Sequence, residues 1–139
     1  MLSNRSIPAA TVIPELAYPD IGVAIDWLTA AFGFSLRLRI GDHRAQMNVG
    51  NGGAIVLITR PPGEMPGMVT HAVMVRVEDV DAHRDRARLN GARVLRPPTD
   101  FPYGERQYSV VDAGGHAWTF TQSIADVDPR DWGGRVGEL

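Results

Sequence analysis

The same order of structural signals runs twice along this 139-residue chain. That repetition limits the fold more than any other feature. A strand pattern at 11–17 meets the turn pair Pro19-Asp20, and a helical pattern follows over 21–32. Val23, Trp27, Ala30 and Ala31 recur there at helical spacing, and Gly33 is placed to end the helix. Three strand patterns come next. Residues 35–40 alternate Leu36, Leu38 and Ile40 with Arg37 and Arg39; 44–49 follow the Gly41-Asp42 turn; 54–59 follow the hairpin signal Asn51-Gly52-Gly53. After a segment at 61–70 rich in Pro and Gly, the order returns. A strand pattern at 71–77 leads to Asp79, a helical pattern at 80–90 and a stop at Gly91. A strand opens at 93–95 and breaks at Pro97-Pro98, and strands at 106–111 and 116–122 flank a turn at 112–115. Asp20 and Asp79, the two helix caps, lie 59 residues apart. The tail from Ile124 predicts one helical turn beginning at Asp128-Pro129.

Each half is a βαβββ unit too small to bury its own sheet, so the two units must share a core. The expectation is an α+β fold in a single domain over 1–139. Its modules span about 11–60 and 71–123, with a linker at 61–70. The two modules form a curved mixed sheet that encloses a cleft.

Composition removes several chemistries. The chain has no Cys, which excludes disulfides, thiolate metal sites and a cysteine nucleophile. All 14 basic residues are Arg, so there is no lysine for a Schiff base or a phosphate loop. None of the five Ser falls in G-x-S-x-G. The net charge is −2, and the arginines between 79 and 93 alternate with acids, so nucleic acid is not an expected partner. No stretch of about 18 apolar residues exists to cross a membrane. The first 11 residues lack an apolar run, which makes a cytoplasmic location the expectation.

The most specific segment is Gly104-Glu-Arg106-Gln-Tyr-Ser-Val-Val-Asp112-Ala-Gly-Gly115-His116-Ala-Trp118. With the duplicated βαβββ order, its D-x-x-G-H-x-W core resembles the vicinal-oxygen-chelate superfamily: glyoxalase I, the bleomycin- and fosfomycin-resistance proteins and the extradiol dioxygenases. The spacing of Arg106 ahead of it resembles the phosphonate-operon glyoxalase-like branch. The resemblance covers roughly 13–122 and implies the fold more strongly than any activity.

The resemblance also implies where a divalent metal would sit. Its positions fall on Ile13, on Ala72, on Thr119 and on one residue within 55–58, all apolar or hydroxyl-bearing. The expectation is therefore a small-molecule-binding cleft with no cofactor, holding an apolar or aromatic ligand. The alternative is a metal-dependent lyase, isomerase or dioxygenase with a displaced site at His71 and Glu15. His71 lies one residue from the implied position, and such a slip turns a side chain to the other sheet face. A metal-free enzyme using Tyr103 or Glu105 is a third possibility.

Strand alternation then sorts the hairpin. With Thr119 toward the cleft, Gln107, Ser109 and Thr121 join it, while Tyr108, Val110, Trp118 and Phe120 face the helices. Met74, Arg76, Met47 and Glu15 are cleft candidates by the same parity, and Tyr103 overhangs it. Arg106 is read as holding the hairpin through an acidic neighbour. Asp20 and Asp79 are read as caps and not as a catalytic pair. The resemblance implies a homodimer, with Trp27 packing within the chain or against a partner subunit.

Overall fold

Two aspartates start the two helices. Asp20 Oδ1 accepts from the Val23 amide at 3.0 Å, and Asp79 Oδ1 accepts from the Ala82 amide at 3.1 Å. Each bond satisfies one of the amides that a helix start leaves without a partner. The computed structural model describes residues 3–60 and 71–134, so the expected linker at 61–70 lies outside the described residues. Helix α1 spans Ile21–Phe32 and stops at Gly33, whose φ of 76° is the left-handed cap glycine supplies without strain. Helix α2 spans Val80–Leu89.

The strands of the first module are β1 (Glu15–Tyr18), β2 (Ser35–Ile40), β3 (Arg44–Val49) and β4 (Gly53–Thr59). They form one sheet in the order β1-β4-β3-β2, with β1 parallel to β4 and the other pairs antiparallel. The second module repeats this with β5 (Val73–Arg76), β6 (Arg93–Phe101), β7 (Glu105–Val111) and β8 (Ala117–Ser123). Their order is β5-β8-β7-β6, with β5 parallel to β8. The fold is α+β, built of two βαβββ modules, each a four-stranded mixed sheet. A 3-10 turn at Pro129–Trp132 follows, capped by Asp128.

Two strands, β1 and β6, depart furthest from their expected limits. β1 begins at Glu15, because only Glu15 to Tyr18 find ladder partners, on Val56 to Thr59. β6 does not break at Pro97-Pro98. It lies at the sheet edge, and its pairing with β7 shifts register between Arg96 and Thr99. The prolines occupy that irregularity, where no ladder bond needs their missing N–H.

One core serves both modules. Leu28, Ala31 and Phe32 of α1 pack with Val80 and Ala87 of α2, under Tyr108, Val110, Trp118 and Phe120 of the second sheet. The Phe32 ring meets Trp118 at 5.5 Å and Phe120 at 4.9 Å between centroids, both edge-on. Burying side chains of this size contributes about 1.5–3 kcal/mol each. Met47, expected in the cleft, is fully buried in this core. On β3 it is Ala45, Met47 and Val49 that face the helices, and Gln46 takes the opposite face. A one-residue error in parity moves a side chain to the other side of the sheet.

Candidate functional site

The face of the second sheet turned away from the helices gathers most of the expected residues. In the β7–β8 ladder, Gln107 lies opposite Thr121 and Ser109 opposite Thr119. β5 adds Met74 beside Thr119 and Arg76 beside Thr121. Their neighbours Tyr108, Val110, Trp118 and Phe120 are fully buried on the helix side, as alternation requires.

The polar groups of this face form a continuous row. Tyr103, just before β7, donates its hydroxyl to Gln107 Oε1 at 3.2 Å. Gln107 Nε2 donates to Thr121 Oγ1 at 3.1 Å, and the Thr121 hydroxyl donates to Glu105 Oε1 at 2.8 Å. Arg76 Nη1 lies 4.0 Å from Glu105 Oε1 and donates to Ser123 Oγ. The Ser123 hydroxyl, then the Thr121 hydroxyl and the Arg76 charge, hold the Glu105 carboxyl below the usual carboxylate range. A second pairing, Ser109 Oγ to Thr119 Oγ1 at 3.3 Å, receives Arg96 Nη2 at 3.4 Å from β6.

An aromatic group borders the row. Phe101 and Tyr103 stack at 5.3 Å with planes 11° apart, and Trp132 of the 3-10 turn meets Tyr103 at 5.1 Å. The Arg96 guanidinium lies 5.0 Å from the Phe101 centroid. Alternation placed Thr121 here, but Arg96, Phe101 and Trp132 were not foreseen. Reading β6 as ended by Pro97 hid the first two, and Trp132 lies on the tail's expected helical turn, whose local signal does not say what the turn packs against.

The D-x-x-G-H-x-W motif holds the hairpin that carries this face. Asp112 is buried and accepts four hydrogen bonds. Its Oδ1 takes the amides of Gly114 and His116, each at 2.9 Å. Its Oδ2 takes the Tyr18 hydroxyl at 2.6 Å and Trp118 Nε1 at 3.0 Å. Gly115 closes the turn at φ 86°. His116 Nε2 sits 2.7 Å from the Ala17 carbonyl, and Arg60 Nη2 donates to the Gly114 carbonyl at 2.7 Å. The motif thus ties the second module to β1 of the first and to Arg60, just past β4. Arg106 ion-pairs with Asp81 at 3.0 Å and with Asp100 at 2.9 Å, bracing β7 against α2 and β6. Trp27 packs within the chain: its Nε1 donates to the Asn90 carbonyl at 2.8 Å, and its ring meets Phe32 edge-on.

The implied metal positions do not fit an ion. Ile13, Ala72, Thr119 and the β4 residues from Ile55 to Ile58 offer no carboxylate or imidazole. Glu15 and His71 are both exposed, Glu15 opposite Val56 and His71 ahead of β5. Among the described residues, no three His, Cys, Asp or Glu come together in a group able to hold a metal ion.

A sequence profile for the Glyoxalase/Bleomycin resistance protein/Dioxygenase superfamily matches residues 10–120. The chain belongs to this superfamily. Among solved structures, TioX from Micromonospora sp. ML1 is similar at 36% identity, with a TM-score of 0.67 over 84% of this chain and 100% of that one. The fosfomycin resistance protein FosX from Listeria monocytogenes shares the fold at 13% identity and a TM-score of 0.69, over 84% of this chain and 93% of that one. A protein of Mycolicibacterium smegmatis is 32% identical over 88 residues, which cover 63% of this chain and 72% of the relative. These matches identify the superfamily and not a branch within it. In this superfamily member no helix among the described residues is long and apolar enough to cross a membrane.

Proposed function

We propose that the chain is a small-molecule-binding member of the superfamily and that the open face of the second sheet is its ligand surface. The observation that carries this reading is the joining of two features on one face. The stacked Phe101–Tyr103 pair offers a flat apolar platform, and the row from Tyr103 to Arg76 offers directed donors and acceptors. Pockets for small molecules combine these two kinds of surface. The ligand class is an apolar or aromatic molecule, stacked on the platform, with its polar group toward Arg96 or Arg76. Glu105 is already hydrogen-bonded and lies beside a guanidinium, so it serves here as part of the row and not as a base.

A homodimer belongs to the same reading. β1 and β5 each end a sheet, and each pairs with a strand on one side only. A second chain placed against these edges would complete the wall of the cleft. The phosphonate-operon branch is not part of the proposal, since Arg106, on which that resemblance rested, is taken up by Asp81 and Asp100.

The test is a thermal-shift screen of aromatic acids and amides, run on chelator-treated protein with and without added Zn, Ni, Mn or Fe. A ligand present at 100 times its dissociation constant adds about 2.7 kcal/mol. The expected result is a shift that needs no metal and that Tyr103→Ala or Thr121→Val abolishes. Stoichiometric metal bound at this face, or a shift that depends on one, would overturn the reading.

A further inference from the structure

The first sheet treats its outward face differently. Gln46 lies opposite Val56 in the β3–β4 ladder, as Ser109 lies opposite Thr119 in the β7–β8 ladder. Ser109 and Thr119 are half-buried, whereas Gln46 is 3% exposed and Val56 4%. Neither belongs to the core under the helices, so something else covers them.

Over Gln46 that cover is the start of the chain. The Ser6 carbonyl accepts from Gln46 Nε2 at 2.8 Å, and the Arg5 carbonyl accepts from Arg37 Nη2 at 2.9 Å. Gln46 Oε1 also accepts from Arg37 Nη1, which fixes the two donors side by side. Pro8 is buried against this face. The fit is loose. A gap of about 240 Å³ remains between residues 8–10 and the floor at Asn48 and Ala54. Little apolar surface holds the segment, since Ile7 is 51% exposed and Val12 77%.

Two adjacent carbonyl oxygens meeting two adjacent donors reproduce what an oxyanion presents. A carboxylate or sulfonate would make the same contacts with charge-assisted bonds, which are the stronger kind. We infer that residues 4–10 are a displaceable occupant of a second ligand face, and that this face takes an oxyanion on an apolar body once the segment leaves. The inference stands apart from the reading of the second sheet, because it uses a different face and different residues.

The probe is 8-anilinonaphthalene-1-sulfonate, an aromatic sulfonate, with tryptic cleavage after Arg5 read by mass spectrometry. Saturating probe should speed that cleavage several-fold in the native chain, because it holds the segment off its seat. Pro8→Asp puts a charge where the segment seats and should tighten probe binding about tenfold, the factor expected if the segment is seated about nine-tenths of the time. Arg37→Met in the Pro8→Asp chain should reverse that gain. Tyr103→Ala should leave the gain intact, even if the second sheet proves not to bind the probe. Cleavage indifferent to the probe overturns the inference, as does unchanged affinity in Pro8→Asp or a gain that survives Arg37→Met. If Pro8→Asp lowers the melting temperature by more than a few degrees, the native-chain cleavage measurement alone decides.

Discussion

The Tyr18 hydroxyl donates to Asp112 Oδ2 at 2.6 Å, joining residues 94 positions apart. Tyr18 ends the first strand of one module, and Asp112 opens the turn that carries the proposed ligand face of the other. Burial, then the charge of Asp112, push the Tyr18 hydroxyl well above the usual tyrosine range, so it stays a donor.

Removing either partner should therefore loosen the modules, by different amounts. Asp112→Ala strands four donors and should cost about 3–5 kcal/mol. Tyr18→Phe removes one hydrogen bond to a charged group and should cost about 1.5–3 kcal/mol. Urea unfolding of both variants and the double mutant should show a total smaller than the sum, by about 1 kcal/mol or more. Full additivity would mean that the two residues act separately.

His83 sets an acid limit on stability. Its ring lies 3.9 Å from Phe120, and Nδ1 meets the Tyr108 hydroxyl. Burial pushes its pKa down to about 4, from an unfolded value of 6.5. The folded state thus binds the proton less readily than the unfolded state does. The stability from neutral His83 is complete above pH 6.5 and is lost as pH falls through 4, by at most about 3 kcal/mol. Unfolding free energies at pH 7 and pH 4.5, compared between the native chain and His83→Gln, should show a smaller drop in the variant. Equal drops would remove His83 from the account.

Gly115 has φ 86°, a conformation that a β-branched residue resists. Gly115→Val should destabilise by more than about 1 kcal/mol through backbone strain. It should also weaken ligand binding by misplacing Ser109 and Thr119, which lie on the strands it joins. Melting temperature and binding measured together check both effects. If neither changes, the hairpin does not hold the ligand face.

Sedimentation at micromolar concentration should report a species of twice the chain's mass. A single-chain species would count against the partner placed at β1 and β5. Trp27→Ala should leave that mass unchanged, because Trp27 is already engaged by Asn90 and Phe32 inside the chain.

The repeat, both helix caps and the parity of β7 and β8 were legible because each rests on local chemistry. An aspartate before an apolar helix face and alternation flanking a glycine turn need no distant partner. Asp112 was visible as a motif residue, but its role was not, since Tyr18 reaches it from the other module. Met47 failed for a different reason: Ala45, Met47 and Val49 alternate with Arg44, Gln46 and Asn48, and that local alternation, not the parity carried over from the hairpin, marks the helix side of β3. Phe101 and Trp132 meet Tyr103 from an edge strand and a tail, and no periodicity links the three. The seating of residues 4–10 on Gln46 and Arg37 was equally hidden, because main-chain carbonyls leave no mark in a sequence.

The prolines of β6 have one more consequence. An exposed sheet margin is where one molecule recruits the next into an aggregate, and proteins interrupt such margins with proline, charge or a bulge. β6 carries Pro97 and Pro98 within its shift of register, and β2 carries Arg37 and Arg39 beside a bulge of its own. The remaining margins, β1 and β5, are only four residues long and carry neither proline nor bulge. Among the described strands these two margins alone lack both devices, and a twofold pairing that consumed them would leave them covered.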